Sequence, residues 1–168
     1  STMGAGVDLA AKNINDQGGM FADGQALNVV RADSACDPAA AIDAVTKLIN
    51  VNGVTAIVGP VCSGPAIAQA ESVSIPAGVL TISVSASSPA LTMMEDGTDL
   101  VFRTTASDAY QGVALAELAM GEGITDIAVS YANDDYNAAI SEVFVQAYEG
   151  MGGTITANEA HEPNKASY

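Results

Sequence analysis

The chain has 168 residues, 49% of them apolar, which is enough for one domain or a little more around a real core. Five basic side chains against twenty acidic ones leave a net charge of −15. So few Lys and Arg exclude nucleic acid as a partner and give no attraction to an anionic membrane, and no apolar run has membrane-spanning length.

Residues 5–17 carry Val7, Leu9, Ala10, Ala11 and Ile14 at helical spacing, and Gly18-Gly19 end the helix. Residues 26–32 read as an apolar strand. Asp37-Pro38 start a helix, since Asp caps free amides and Pro suits the first turn. That helix runs to about Asn50, with Ile42, Val45, Leu48 and Ile49 inward. A short strand at 55–59 precedes a helix that opens at Ser63 and ends near 76–78. Strands follow at 79–84 and 100–104. Asp108 is expected to cap a helix to Glu122, before a strand at 126–131 and a helix at 135–151 stopped by Gly152-Gly153. A strand at 154–158 closes the series, and 159–168 reads as a polar loop.

Short apolar strands separated by helices predict an α/β fold with a mainly parallel, doubly wound sheet covered on both faces. Ligands bind beyond the carboxyl ends of the strands of such sheets. The chain opens on a helix, where a central strand is usual, and ends in a loop where a helix is due. It therefore reads as an excerpt of a longer protein, or as one lacking its first strand.

Cys36 and Cys62 each follow a predicted strand. They are either two separate thiols or a bridge closing the 25 intervening residues 37–61. A bridge would contribute roughly 3 kcal/mol and imply an oxidising compartment.

Three loops at strand ends carry chemistry. Residues 59–65 (GPVCSGP) place Ser63 and Gly64 at a helix start, where free amides and the helix dipole suit a carboxylate or phosphate. Ser63 is equally readable as a simple N-cap. Residues 83–89 (SVSASSP) offer hydroxyls and carbonyls to an ammonium and amides to a carboxylate, or only turn chemistry. Residues 133–136 (NDDY) present Tyr136, a ring face and a hydroxyl.

Catalysis has little to stand on. Gly4-Ala5-Gly6 follows no strand and lacks a third glycine in register, so it is no dinucleotide fingerprint. No G-x-S-x-G elbow occurs, and His161, the only histidine, falls in the polar tail. Asp134-Asp135 lack the spacing of a calcium loop. No cofactor or metal is expected.

The stretches 6–19 (GVDLAAKNINDQGG), 33–38 (DSACDP), 59–64 (GPVCSG), 80–92 (LTISVSASSPALT) and 102–112 (FRTTASDAYQG) resemble, in order, the type I periplasmic solute-binding proteins of the branched-chain amino acid receptor family. DSACDP with GPVCSG is similar to the Leu/Ile/Val-binding subgroup, whose two cysteines are bridged. The resemblance implies a two-lobed fold. Residues 1–105 would form the first lobe, incomplete, and 106–168 the start of the second, with the hinge crossing near 103–108. It implies that Ser63 binds a ligand carboxylate, that Ser85, Ala86 and Ser87 serve carboxylate and α-amine, and that Tyr136 covers the ligand. It also implies a Cys36–Cys62 disulfide, an extracytoplasmic location and delivery of an amino acid to the membrane permease of an ABC-type importer. A sensor domain of the same fold, or a receptor for amides or aromatic carboxylates, is the rival. The family's first strand, and the rest of the second lobe with its acidic partner for the ammonium, have no counterpart here. The serine-rich loop also replaces an alanine and a threonine of the Leu/Ile/Val subgroup.

Overall fold

The computed structural model describes residues 2–20, 22–94 and 99–163. Helix α1 spans Thr2–Asp16. It ends in left-handed glycines, and at Gly19 (φ 93°) a Cβ would collide with the carbonyls of Gly24 and Gln25. Of the face predicted inward only Ala11 is buried, and Leu9 is 59% exposed.

The strand predicted at 26–32 does not form. A strand persists only when a neighbour takes its backbone groups, and here a side chain of α1 takes those of Leu27. Asn15 accepts the Leu27 N–H at 2.7 Å and donates to the Leu27 carbonyl at 2.9 Å. Arg31 pairs with Asp8 and donates to the Gly4 carbonyl at 2.7 Å. Its pKa is raised by the hydrogen bond to Asp8, then by that residue's charge. The segment is thus an extended strap on α1, with Val29 and Val30 exposed.

Helix α2, Pro38–Asn50, starts as expected, with Asp37 Oδ1 accepting the Ala40 N–H at 2.8 Å. Strand β1 is Ala56–Val58, and helix α3, Ser63–Gln69, runs on into a π-helical turn at Ala70–Ser74. Strand β2 (Leu80–Ser83), the short helix α4 (Ala90–Met93) and strand β3 (Val101–Arg103) follow. The three strands form one parallel sheet in the order β1-β2-β3, with Ile57, Thr81 and Val101 in one row.

Val45, Ile57 and Val79 form the core under this sheet, with Leu48, Ile49, Val54 and Val73 against it. The π turn was invisible to helical spacing. It lets the buried Ser74 hydroxyl accept from buried Thr81 at 3.0 Å, so neither polar group is left without a partner. On the opposite face Val58 and Phe102 stay exposed.

Helix α5 (Asp108–Gly121), strand β4 (Asp126–Ala132), helix α6 (Asp135–Gly150) and strand β5 (Thr154–His161) make the second unit. Strands β4 and β5 pair in parallel as a separate two-stranded sheet. Two expectations are corrected here. Helix α5 is capped by Ser107, whose Oγ accepts the Ala109 N–H at 3.3 Å, and not by Asp108. Strand β5 continues to His161, because the ladder to β4 satisfies the backbone although the side chains at 158–160 are exposed. The rest of the expected tail, 164–168, lies outside the described residues.

Helices α5 and α6 meet at Gly112, where a Cβ would stand 2.6 Å from Val143 Cγ1 and 2.9 Å from the Phe144 backbone nitrogen. The backbone atom cannot step aside, so Gly112→Ala should destabilise by about 1–3 kcal/mol. Urea unfolding would read this, and an unchanged midpoint would show that the helices do not approach so closely.

Candidate functional site

The three candidate loops lie at the carboxyl ends of β1, β2 and β4, where a parallel sheet leaves its loops free for ligands. The structure draws the first two tightly together. Ser83 Oγ donates to the Pro60 carbonyl and Ser85 Oγ to the Val61 carbonyl, the latter at 2.7 Å. Ser88 N–H donates to Ser63 Oγ at 3.2 Å. Ala86, 1% exposed, has its N–H on Ser83 Oγ at 3.1 Å.

Ser63 is not the helix cap. Cys62 holds the N-cap position, without a side-chain bond, and Ser63 is the first residue of α3 and 2% exposed. Its hydroxyl accepts from Ser88 and so keeps its own proton to donate. The Ser63 and Gly64 N–H groups meet no acceptor among the described residues, and Pro65 has no N–H. Ala66 is the first to be satisfied, on the Cys62 carbonyl at 3.0 Å. Two amides and a hydroxyl proton are thus available at one helix start.

Ser85 has the opposite polarity. Its proton is committed to Val61, which leaves the oxygen as an acceptor. The Ser87 carbonyl accepts the Asp108 N–H at 2.9 Å. Cys36 and Cys62 are joined in a disulfide with Cα atoms 5.6 Å apart, which staples the loop before α2 to the residue ahead of Ser63.

Tyr136 stands one residue into the second unit's helix α6 and is 38% exposed. Its neighbour Asp135 sits so close to Gly64 that a Cβ there would collide with Asp135 Oδ2. The start of α6 therefore faces the start of α3. His161 lies in β5, and among the described residues no cluster of metal-ligating side chains occurs.

Sequence reasoning missed the role of the segment that crosses between the two sheets. Thr104 N–H donates to the Ser83 carbonyl at 3.0 Å, Arg103 Nη1 to the Ser88 carbonyl at 2.7 Å, and Asp108 N–H to Ser87. Arg103 also donates to Thr92 Oγ1. The crossing is thereby tied to the serine loop along its length. The signal was the juxtaposition of FRTTASD with the SVSASS loop, but β-strand register was needed to bring them side by side.

A profile of the family described as periplasmic binding protein matches residues 1–168. The leucine-, isoleucine-, valine-, threonine-, and alanine-binding protein of Pseudomonas aeruginosa is 34% identical over 157 residues, 92% of this chain and 40% of its own length. The Leu/Ile/Val-binding protein of Escherichia coli is 34% identical over 112 residues, 67% of this chain and 29% of its own length. Among solved structures, the branched-chain amino acid transporter substrate binding protein of Streptococcus pneumoniae in complex with isoleucine superposes with a TM-score of 0.79 at 30% identity, covering 96% of this chain and 44% of that one. A solute binding protein of an R. palustris ABC transporter in complex with benzoate reaches 0.79 at 21% identity, covering 92% of this chain and 42% of that one, which speaks for the fold alone. The chain spans less than half the length of these relatives.

Proposed function

Since the chain belongs to the periplasmic binding protein family, we propose that it is the front part of an extracytoplasmic receptor that delivers an amino acid to an ABC-type importer without catalysis. The sheet β1-β2-β3 belongs to a first lobe (1–105) and the sheet β4-β5 to the start of a second (106–168), with the hinge near 103–108. The separation of the two sheets supports this division. The disulfide favours an oxidising compartment, in keeping with a periplasmic location.

The observation that carries the reading is the sorting of hydrogen-bond polarity at the stitched loops. Ser63 offers a proton, beside the free amides of Ser63 and Gly64, to a carboxylate. Ser85, with its proton spent on Val61, offers an acceptor to an ammonium. Ala86 and Ser87 supply backbone groups between them. A zwitterion is costly to bury unless both charges are hydrogen-bonded, and this arrangement answers both. Tyr136 closes over the ligand from the second lobe. The closed form is selected because only there does the ligand touch both lobes.

A thermal-shift screen of the intact gene product against amino acids, amides and aromatic carboxylates tests this. A ligand at a hundred times its dissociation constant stabilises the fold by about 2.7 kcal/mol. Aliphatic α-amino acids are the expected responders. A response confined to carboxylates without an amine would keep the anion site and discard the amino acid. The relatives named for Leu, Ile and Val support apolar side chains as the first to try.

A further inference from the structure

Asp135 carries a charge that the fold does not use. It is the first residue of α6, but Asp134 does the capping, its Oδ1 accepting the Asn137 N–H at 2.9 Å. Asp135 is exposed, and its carboxylate meets no hydrogen-bond donor among the described residues. It also takes no part in the described ion pairs, Lys12–Asp16 and Arg31–Asp8. An acid in the first turn suits the dipole of its own helix, which explains the residue type but not where the side chain lies.

The side chain reaches across to the first unit. A Cβ on Gly64 would collide with Asp135 Oδ2 and stand 3.3 Å from Asp135 Cγ, so the carboxylate rests against Gly64. The Gly64 and Ser63 N–H groups beside it meet no acceptor among the described residues. The chain thus sets one of its own carboxylates next to the donors read above as the seat of a ligand carboxylate. Two like charges cannot share that place without repulsion, and the positive end of α3 favours whichever anion is nearer. We propose that Asp135 is an internal competitor of the ligand. Resting on Gly64, it holds the starts of α3 and α6 together before a ligand arrives, and it must move aside for the ligand carboxylate to reach the Ser63 and Gly64 amides. The affinity of the site is then lowered by whatever this contact contributes to the state that the ligand must displace. This role rests on the carboxylate site proposed above and adds the residue that sets its threshold.

The test titrates the intact gene product calorimetrically with L-leucine and with 4-methylpentanoate, the same skeleton without its amine. Asp135→Asn keeps the size and removes the charge, and should tighten both ligands by a similar factor, on the order of tenfold, at low ionic strength. The gain should shrink as salt screens the charges. Asp135→Ala should gain at least as much, since nothing is left to displace. Glu149→Gln removes a like charge near the other end of α6 and should leave both affinities at the parent's values. Unchanged or weaker binding of both ligands in the Asp135 variants would overturn the proposal. An equal gain in Glu149→Gln would overturn it too, by tracing the effect to net charge alone. Tighter 4-methylpentanoate with weaker L-leucine would do the same, because Asp135 would then be meeting the amine. If the parent binds only one of the two ligands, that ligand decides. A parent that binds neither, nor any carboxylate of the thermal screen, would overturn the carboxylate site itself and this role with it.

Discussion

Ser63→Ala should lower ligand affinity by roughly tenfold to a hundredfold, the worth of a hydrogen bond to a charged group. It should also leave the buried Ser88 N–H without its acceptor, at about 1–3 kcal/mol in the ligand-free protein. Both losses follow from one oxygen that accepts from the neighbouring loop and keeps its own proton to donate. Ser63→Cys tests that geometry, because a thiol is a weaker donor and acceptor in the same place. Titration calorimetry reads the first effect and urea unfolding the second. Normal affinity in Ser63→Ala would remove the hydroxyl from the site, whatever the stability.

Opening the Cys36–Cys62 bridge should have the largest effect on stability. The bond joins residues 26 apart in sequence, and a closed loop of that size is worth roughly 3 kcal/mol through the unfolded chain. The consequence reaches the site, since Cys62 is the N-cap of α3 and Ser63 follows it. The Cys36→Ser, Cys62→Ser double variant should unfold at lower urea and bind ligand more weakly, because the helix start is no longer pinned. Coincident unfolding of oxidised and reduced protein would show that the bridge constrains little.

Much of the architecture was legible because local chemistry and the global fold agreed. Asp37-Pro38 set the start of α2, and the short apolar runs at 56–58 and 80–83 became parallel strands. The apolar run at 26–32 misled for a definite reason: hydrophobicity qualifies a segment for a sheet, but a partner strand must take its hydrogen bonds, and here Asn15 takes those of Leu27 while Arg31 ties the segment to α1. At 159–161 the reverse happened, as polar side chains hid a backbone that pairs with β4.

The site divides in the same way. The loops themselves could be read from Gly, Ser and Pro after strands. Which serine gives its proton and which accepts could not, because that depends on contacts such as Ser85 with Val61 and Ser63 with Ser88, across loops more than twenty residues apart. Asp108 looked like a helix cap, since Asp before a helix usually is one. Its burial, with Ser107 in the capping position, shows that it is not one here.

The position of the ligand carboxylate is the most direct test, read from a crystal structure of the intact gene product grown with the strongest responder of the thermal screen. The carboxylate should lie within about 3 Å of Ser63 Oγ and of the Ser63 and Gly64 amides, with the amine toward Ser85. A ligand bound elsewhere, or bound with its amine at the start of α3, would contradict the assignment of this helix start as the anion site.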